Sequence, residues 1–118
     1  MESNRKNKIA IQKIIFYCEE IERMLNLHNN DFDYFLANVE LQYACSMCLI
    51  QIGEMTSIIS DDYKNNHKEI PWRLIKGARN TYVHDYGEID LNEFWDTLTV
   101  SVPELKEQMG VLLKDFID

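Results

Sequence analysis

Apolar residues recur along residues 5–27 at Ile11, Ile14, Ile15, Cys18, Ile21 and Leu25. This is the i, i+3, i+4, i+7 spacing of an amphipathic helix with one stripe facing a core. His28-Asn29-Asn30-Asp31 interrupts it as a turn. The helical pattern resumes from about Phe32 to Ile59, now with two stripes. One holds Phe32, Phe35 or Leu36, Val39, Tyr43, Met47 and Ile50. The other holds Leu41, Cys45, Cys48, Ile52, Met55 and Ile59. A helix apolar on two faces is buried on two sides, and in a chain this small one of those sides is a candidate subunit interface. Glu54, among these residues, reads as an exposed edge carboxylate in preference to a buried partner for a basic group.

Ser60-Asp61-Asp62 through Glu69 is polar and reads as a loop or a frayed turn. Pro71 suits the first turn of a third helix, where its missing N–H costs nothing. That helix covers about Pro71 to Asp85, with Trp72, Ile75, Ala78, Tyr82 and Val83 as packing positions and Gly87 where a C-cap glycine belongs. Asp90-Leu91-Asn92-Glu93 resembles an N-cap followed by Glu at N3, and Leu91, Phe94, Trp95 and Leu98 follow. Ser101-x-x-Glu104 is a second capping-box signature, with Pro103 in the turn it would start. The C-terminal segment is therefore either two helices breaking near Ser101 or one kinked helix, its apolar face continued by Leu105, Met109, Leu112, Leu113 and Phe116. No alternating strand pattern of useful length occurs. The prediction is an all-α, antiparallel bundle of four to five helices, with residues 1–118 as a single domain.

Composition supports a packed core, since 46% of residues are apolar and 27% charged. Four Gly and two Pro leave few helix breakers. No run approaches the roughly 18 consecutive apolar residues that span a membrane. The start, MESNRKNKIAIQK, has basic residues but no apolar core behind them and reads as a helix start, not a signal peptide. Three cysteines, Cys18, Cys45 and Cys48, are too few and odd in number for a disulfide framework, which fits a reducing cytoplasm. Cys45-x-x-Cys48 lies in an apolar helical run with no second pair or histidine nearby, so packing is its expected role.

Net charge is −8, which argues against a general nucleic-acid binder. The charge is uneven. Residues 63–79 carry Lys64, Lys68, Arg73, Lys76 and Arg79 against the single Glu69, a net of +4 over 17 residues. That run is either a solvated helix flank or a local anion site on an acidic body.

The chemistry-bearing residues are concentrated in Arg79-Asn80-Thr81-Tyr82-Val83-His84-Asp85-Tyr86. At ~100° per residue, Asn80 and His84 lie about 40° apart on one helix face, while Arg79 and His84 are about 140° apart. Two copies facing each other across a dimer axis would bring these groups into one cleft. Arg is a permanent cation with a fork suited to phosphate. His moves protons near neutrality. RNA brings its own nucleophile, the 2′-hydroxyl. Its cleavage needs no metal if one imidazole removes that proton, another protonates the leaving oxygen, and guanidinium groups stabilise the phosphorane. No metal-ligand spacing occurs near residues 79–86, so no metal or other cofactor is expected.

This stretch resembles the R-x4-H-x-Y motif of the HepT family of HEPN toxins: Arg79, four residues, His84, Asp85, Tyr86. Pro71-Trp72-Arg73, Lys76-Gly77, Ile89-Asp90, Trp95, Pro103-Glu104-Leu105 and Ile52-Gly53-Glu54 match as well, so the likeness covers about residues 8–117. The resemblance implies a helical HEPN fold and a homodimer. It also implies a metal-independent endoribonuclease with Arg79 and His84 as catalytic residues and Asn80 as the adjacent polar member, Lys76 and Arg73 being candidates for RNA phosphate. It implies the toxin role in a type VII-like toxin–antitoxin pair, with a minimal nucleotidyltransferase antitoxin as partner. In the family, such antitoxins transfer AMP from ATP to the motif tyrosine, here Tyr86, and silence the toxin. No membrane or DNA partner is expected. The chain has no G-S-x(n)-D-x-D nucleotidyltransferase signature of its own, and Asp31-Phe32-Asp33 reads as helix capping. A competing function is a non-catalytic HEPN subunit that binds nucleotide or substrate for a nucleotidyltransferase; a third is a plain helical interaction protein. Tyr86 is expected to reach solvent beside the cleft, with Tyr43 and Tyr82 buried on apolar faces.

Overall fold

A computed structural model describes residues 2–116. Among them it is all-α, as the periodicity predicts. Helix α1 spans Glu2–Asn26, α2 Phe32–Ala37, α3 Val39–Ile58, α4 Asp61–Asn65 and α5 Trp72–His84. A 3-10 turn covers Tyr86–Glu88, α6 covers Leu91–Asp96, and a π-helical stretch, Thr97–Ser101, leads into α7, Val102–Leu113. Helix α5 packs on α3, α3 on α1, and α1 on α7.

The α1 stripe is buried at Ala10, Ile11, Ile14, Cys18, Ile21 and Leu25. Its spacing carries an amide into the interior too. Buried Asn7 accepts from the Ser60 backbone N–H at 2.9 Å, and its Nδ2 donates to the Ser60 hydroxyl at 3.2 Å. Ser60 in turn caps α4 by accepting from the Tyr63 N–H. The polar segment after α3 is thus pinned to α1, and the expected loop contains a short capped helix. Helix α1 closes into a turn in which Asn29 and Asn30 take positive φ, 58° and 52°, a conformation asparagine tolerates better than most residues.

The single helix expected from Phe32 to Ile59 is two. Asn38 leaves helical dihedrals, at φ −120° and ψ 95°, and its side chain caps α3 by accepting from the Leu41 N–H at 2.8 Å. Asp31 caps α2 in the same way, through the Asp33 and Tyr34 N–H groups, so the Asp-x-Asp is a cap as expected. Buried Gln42 donates to the Phe35 carbonyl at 2.9 Å and satisfies the end of α2 at the corner. The break lets Phe35 turn into the core, fully buried, edge-on to Phe94 at 5.1 Å and tilted against Trp95 at 5.2 Å.

At the other end, Asp90 caps α6 through the Asn92 and Glu93 N–H groups, as predicted. Ser101 does not cap. It stays helical, at φ −68° and ψ −40°, with no side-chain hydrogen bond to the following turn. The C-terminal segment is therefore the continuous alternative. Pro103, which has no N–H to donate back into the ladder, follows the π-helical stretch that takes up the irregularity. Gly87 is no C-cap glycine: α5 ends at His84, Asp85 occupies the cap at φ −124°, and no glycine has positive φ.

The second stripe of the long apolar segment forms core, with Cys45, Cys48 and Ile52 buried. The first faces out on α3: Val39, Tyr43 and Met47 are each more than half exposed. The Phe35–Phe94–Trp95 cluster predicts the stability test. Phe35→Ala should lower the unfolding free energy by about 3–5 kcal/mol, measured by urea denaturation, whereas Leu36→Ala, on the exposed side of α2, should change it by less than about 1 kcal/mol.

Candidate active site

Helix α5 carries every residue of the Arg79–His84 group, and its contact with α3 decides where they point. Gly53 is buried on α3 directly beneath Arg79. A Cβ placed on Gly53 would overlap the Arg79 Cβ and Cγ, so only glycine lets the two helices close to this separation. The Arg79 stem lies along that gap. Its Nε donates to Glu54 Oε1 at 2.5 Å and its Nη1 donates to Asn80 Oδ1 at 2.9 Å. The pair is partly exposed, with the Arg79 side chain at 30% and that of Glu54 at 43%. Arg79 Nη2 has no hydrogen-bond partner among the described residues. Glu54 is substantially exposed, as expected of an edge carboxylate, and is at the same time the partner of a basic group. Sequence reasoning missed this pairing because the two residues sit 25 positions apart; the Gly53-Glu54 dipeptide was its one local trace.

Asn80 and His84 occupy the outward face of α5 one turn apart, both exposed. The His84 imidazole makes no hydrogen bond or ion pair among the described residues. Arg79 and Asn80 are joined, therefore, while His84 stands apart from the guanidinium, as the ~140° offset requires. Lys76 and Arg73 continue the exposed face toward the start of α5. At 1.5 Å per residue Arg73 is about 16 Å along the helix from His84. It borders a shallow depression shared with Lys64 and Lys68, and with Asp61, so much of the basic run is gathered in space.

Tyr86 departs from expectation. Its hydroxyl oxygen is buried and has no hydrogen-bond partner among the described residues; it does not reach solvent. The turn that follows α5 folds the ring inward against Tyr43, with centroids 5.5 Å apart. Burial pushes the phenol above its ordinary pKa, with Ser46 on α3 acting the other way. The Ser46 hydroxyl itself donates to the Gln42 carbonyl at 2.6 Å. Tyr43, expected to be buried, is 58% exposed and lies over Tyr86 from outside. Tyr82 is buried as expected, its ring 4.9 Å from Phe94.

Cys45 and Cys48 are free and buried, with Cys18. Burial raises Cys18 and Cys45 from 9.0 to about 12 and Cys48 to about 11. These thiols stay protonated at neutral pH and serve as packing, as the apolar run suggests.

An all-helical bundle with Arg, Asn, His and Tyr grouped at the end of α5 defines the class of HEPN-type helical proteins. The sequence profile described as "Ribonuclease HepT-like" matches residues 14–112, and the chain belongs to that family. A protein of Methanocaldococcus jannaschii named as a candidate RNase is 28% identical over 111 residues, covering 94% of each chain. The "Probable ribonuclease HepT" of Thermococcus cleftensis is 35% identical over 83 residues, covering 70% of this chain and 76% of that one. No solved structure matches the chain significantly.

The buried acids predict an alkaline transition. Tyr63 and Tyr82 are raised from 10.0 to about 12 by burial, as the thiols are from 9.0. Each folded pKa lies above its unfolded value, so the neutral form is favoured by folding. The stability they contribute is complete below about pH 9 and falls as pH rises from about 9 to 12. Urea midpoints measured across that range should decline, and Tyr82→Phe should flatten the upper part of the decline.

Proposed function

We propose that this chain is an endoribonuclease that cleaves RNA without a metal ion, working as a homodimer, in which Arg79, Asn80 and His84 are the catalytic group. The observation that carries the reading is the Arg79 arrangement: a guanidinium held on two of its nitrogens, with Nη2 left for a phosphate oxygen. One His84 removes the 2′-hydroxyl proton. The oxygen attacks the adjacent phosphorus, the 5′-oxygen leaves, and the second protomer's imidazole returns a proton to it. Arg79 stabilises charge on the phosphorane. Arg73 and Lys76, with Lys64 and Lys68 beside Arg73, attract the RNA backbone onto an otherwise acidic protein.

The dimer reading rests on α3. Val39, Tyr43, Met47 and Glu54 fall within about 40° of one line along the helix. The first three are exposed apolar side chains, an unusual outward face for a helix in a lone protomer. Apposing two copies there would cover the stripe and bring both Arg79–Glu54 pairs to the same seam. A self-complementary face of this kind gives a two-fold dimer.

The partner in this reading is a minimal nucleotidyltransferase antitoxin that transfers AMP from ATP to Tyr86, in a type VII-like toxin–antitoxin pair in the cytoplasm. The phenolic oxygen attacks the α-phosphorus and pyrophosphate leaves. Because the hydroxyl is buried, the Tyr86–Glu88 turn must first release the ring. The attached phosphate then competes with RNA for Arg79.

Two experiments test these statements. Purified protein should cleave RNA in EDTA and leave 2′,3′-cyclic phosphate ends or their hydrolysis products, and Arg79→Ala or His84→Ala should lower the rate on the order of 10²-fold with the helical signal intact. Cleavage that needs added magnesium, or that survives His84→Ala, overturns the mechanism. Incubation with the partner enzyme, ATP and magnesium should add AMP to Tyr86 by mass spectrometry, and Tyr86→Phe should escape silencing. AMP found on a different tyrosine refutes that assignment.

A further inference from the structure

The Arg79 side chain has four rotatable bonds and much rotamer entropy when free. At the end of an exposed helix it would sample many orientations. Here three features of the fold remove that freedom. The α3 backbone at Gly53 forms a wall against its Cβ and Cγ. The Glu54 carboxylate holds Nε. The Asn80 amide oxygen holds Nη1. We infer that Gly53 and Glu54 together form a cradle that fixes the attitude of the Arg79 guanidinium toward the reacting phosphate, which makes Glu54 a positioning residue for RNA cleavage. The inference rests on the ribonuclease reading of this site.

Electrostatics makes the role of Glu54 specific. A carboxylate beside the cation that meets the reacting phosphate opposes RNA binding, because its charge has the sign of the ligand. It partly cancels the long-range pull of Arg79. An anion in that place is disadvantageous for affinity and useful only for orientation. Orientation is felt in the transition state, where charge develops on defined oxygens, more than in the ground-state complex. Glu54 therefore weakens association and raises turnover, and its removal should split kcat from KM. Gly53 acts without charge. A side chain there meets the near end of Arg79, not its flexible tip, so either the stem or the α3–α5 separation must shift. Misplacement of a catalytic group by about 1 Å can cost on the order of 10²-fold.

The test is steady-state cleavage of one fluorescent RNA by the protein and its variants. Glu54→Gln keeps the size of the side chain and removes its charge. It should lower kcat by roughly 10- to 100-fold while leaving KM unchanged or lower. Gly53→Ala should lower kcat over the same range. In an Arg79→Ala background Glu54→Gln should not lower the residual rate further, since the group it positions is gone; Gly53→Ala carries no such control, because its clash is with the Cβ that alanine keeps. Glu54→Gln alters a side chain 43% exposed, so it reports on the cradle even if Gly53→Ala fails to fold. Wild-type kcat in Glu54→Gln, or equal losses with and without Arg79, overturns the positioning role while the ribonuclease reading stands. A wild-type protein that cleaves no RNA overturns both.

Discussion

The close approach of α3 and α5 at Gly53 is the constraint on which the rest of the site depends. Two helices normally stand apart by the depth of their side chains. Where one residue has no side chain, the partner helix comes nearer, and the residue opposite is forced to run its stem along the gap. That residue is Arg79. Its guanidinium emerges beside Glu54, one position further along α3, and beside its own neighbour Asn80. The backbone contact thus sets the helix separation, the separation sets the path of the side chain, and the path sets which polar groups meet. The ion pair alone would not fix this geometry, because a partly exposed pair contributes little and holds loosely.

The same helix serves two surfaces. Cys45, Cys48 and Ile52 of α3 go inward to the core, while Val39, Tyr43 and Met47 go outward. Tyr43 then lies over Tyr86, so the outward stripe and the turn after α5 are in contact. The phenol oxygen of Tyr86 is buried beneath that contact.

Much of the fold was legible along the chain. The α1 stripe, the caps at Asp31 and Asp90, the start of α5 near Pro71 and the two-faced character of the α3 segment each follow from local spacing and from side chains that bond to nearby backbone. The misses share a cause. The apolar pattern on either side of Asn38 is continuous and gives no sign of a break, yet the corner is stabilised by Gln42 reaching the Phe35 carbonyl, a contact made only after the chain turns. Ser101 and Gly87 carry capping chemistry by type, but tertiary packing keeps the helix running through one and ends a helix short of the other.

The sequence by itself determined the long helical segments, the inward face of α1 and the grouping of Arg79, Asn80, His84 and Tyr86 at one helix end, because these depend on periodicity and on residues within a turn or two of each other. Tertiary structure alone decided that Glu54 holds Arg79, that Tyr86 points inward under Tyr43, and that the basic residues around Arg73 share one depression. Each joins segments distant along the chain. Such pairings depend on how far apart two helices settle and how they are rotated, and the side chains that fill the space between them set both at once.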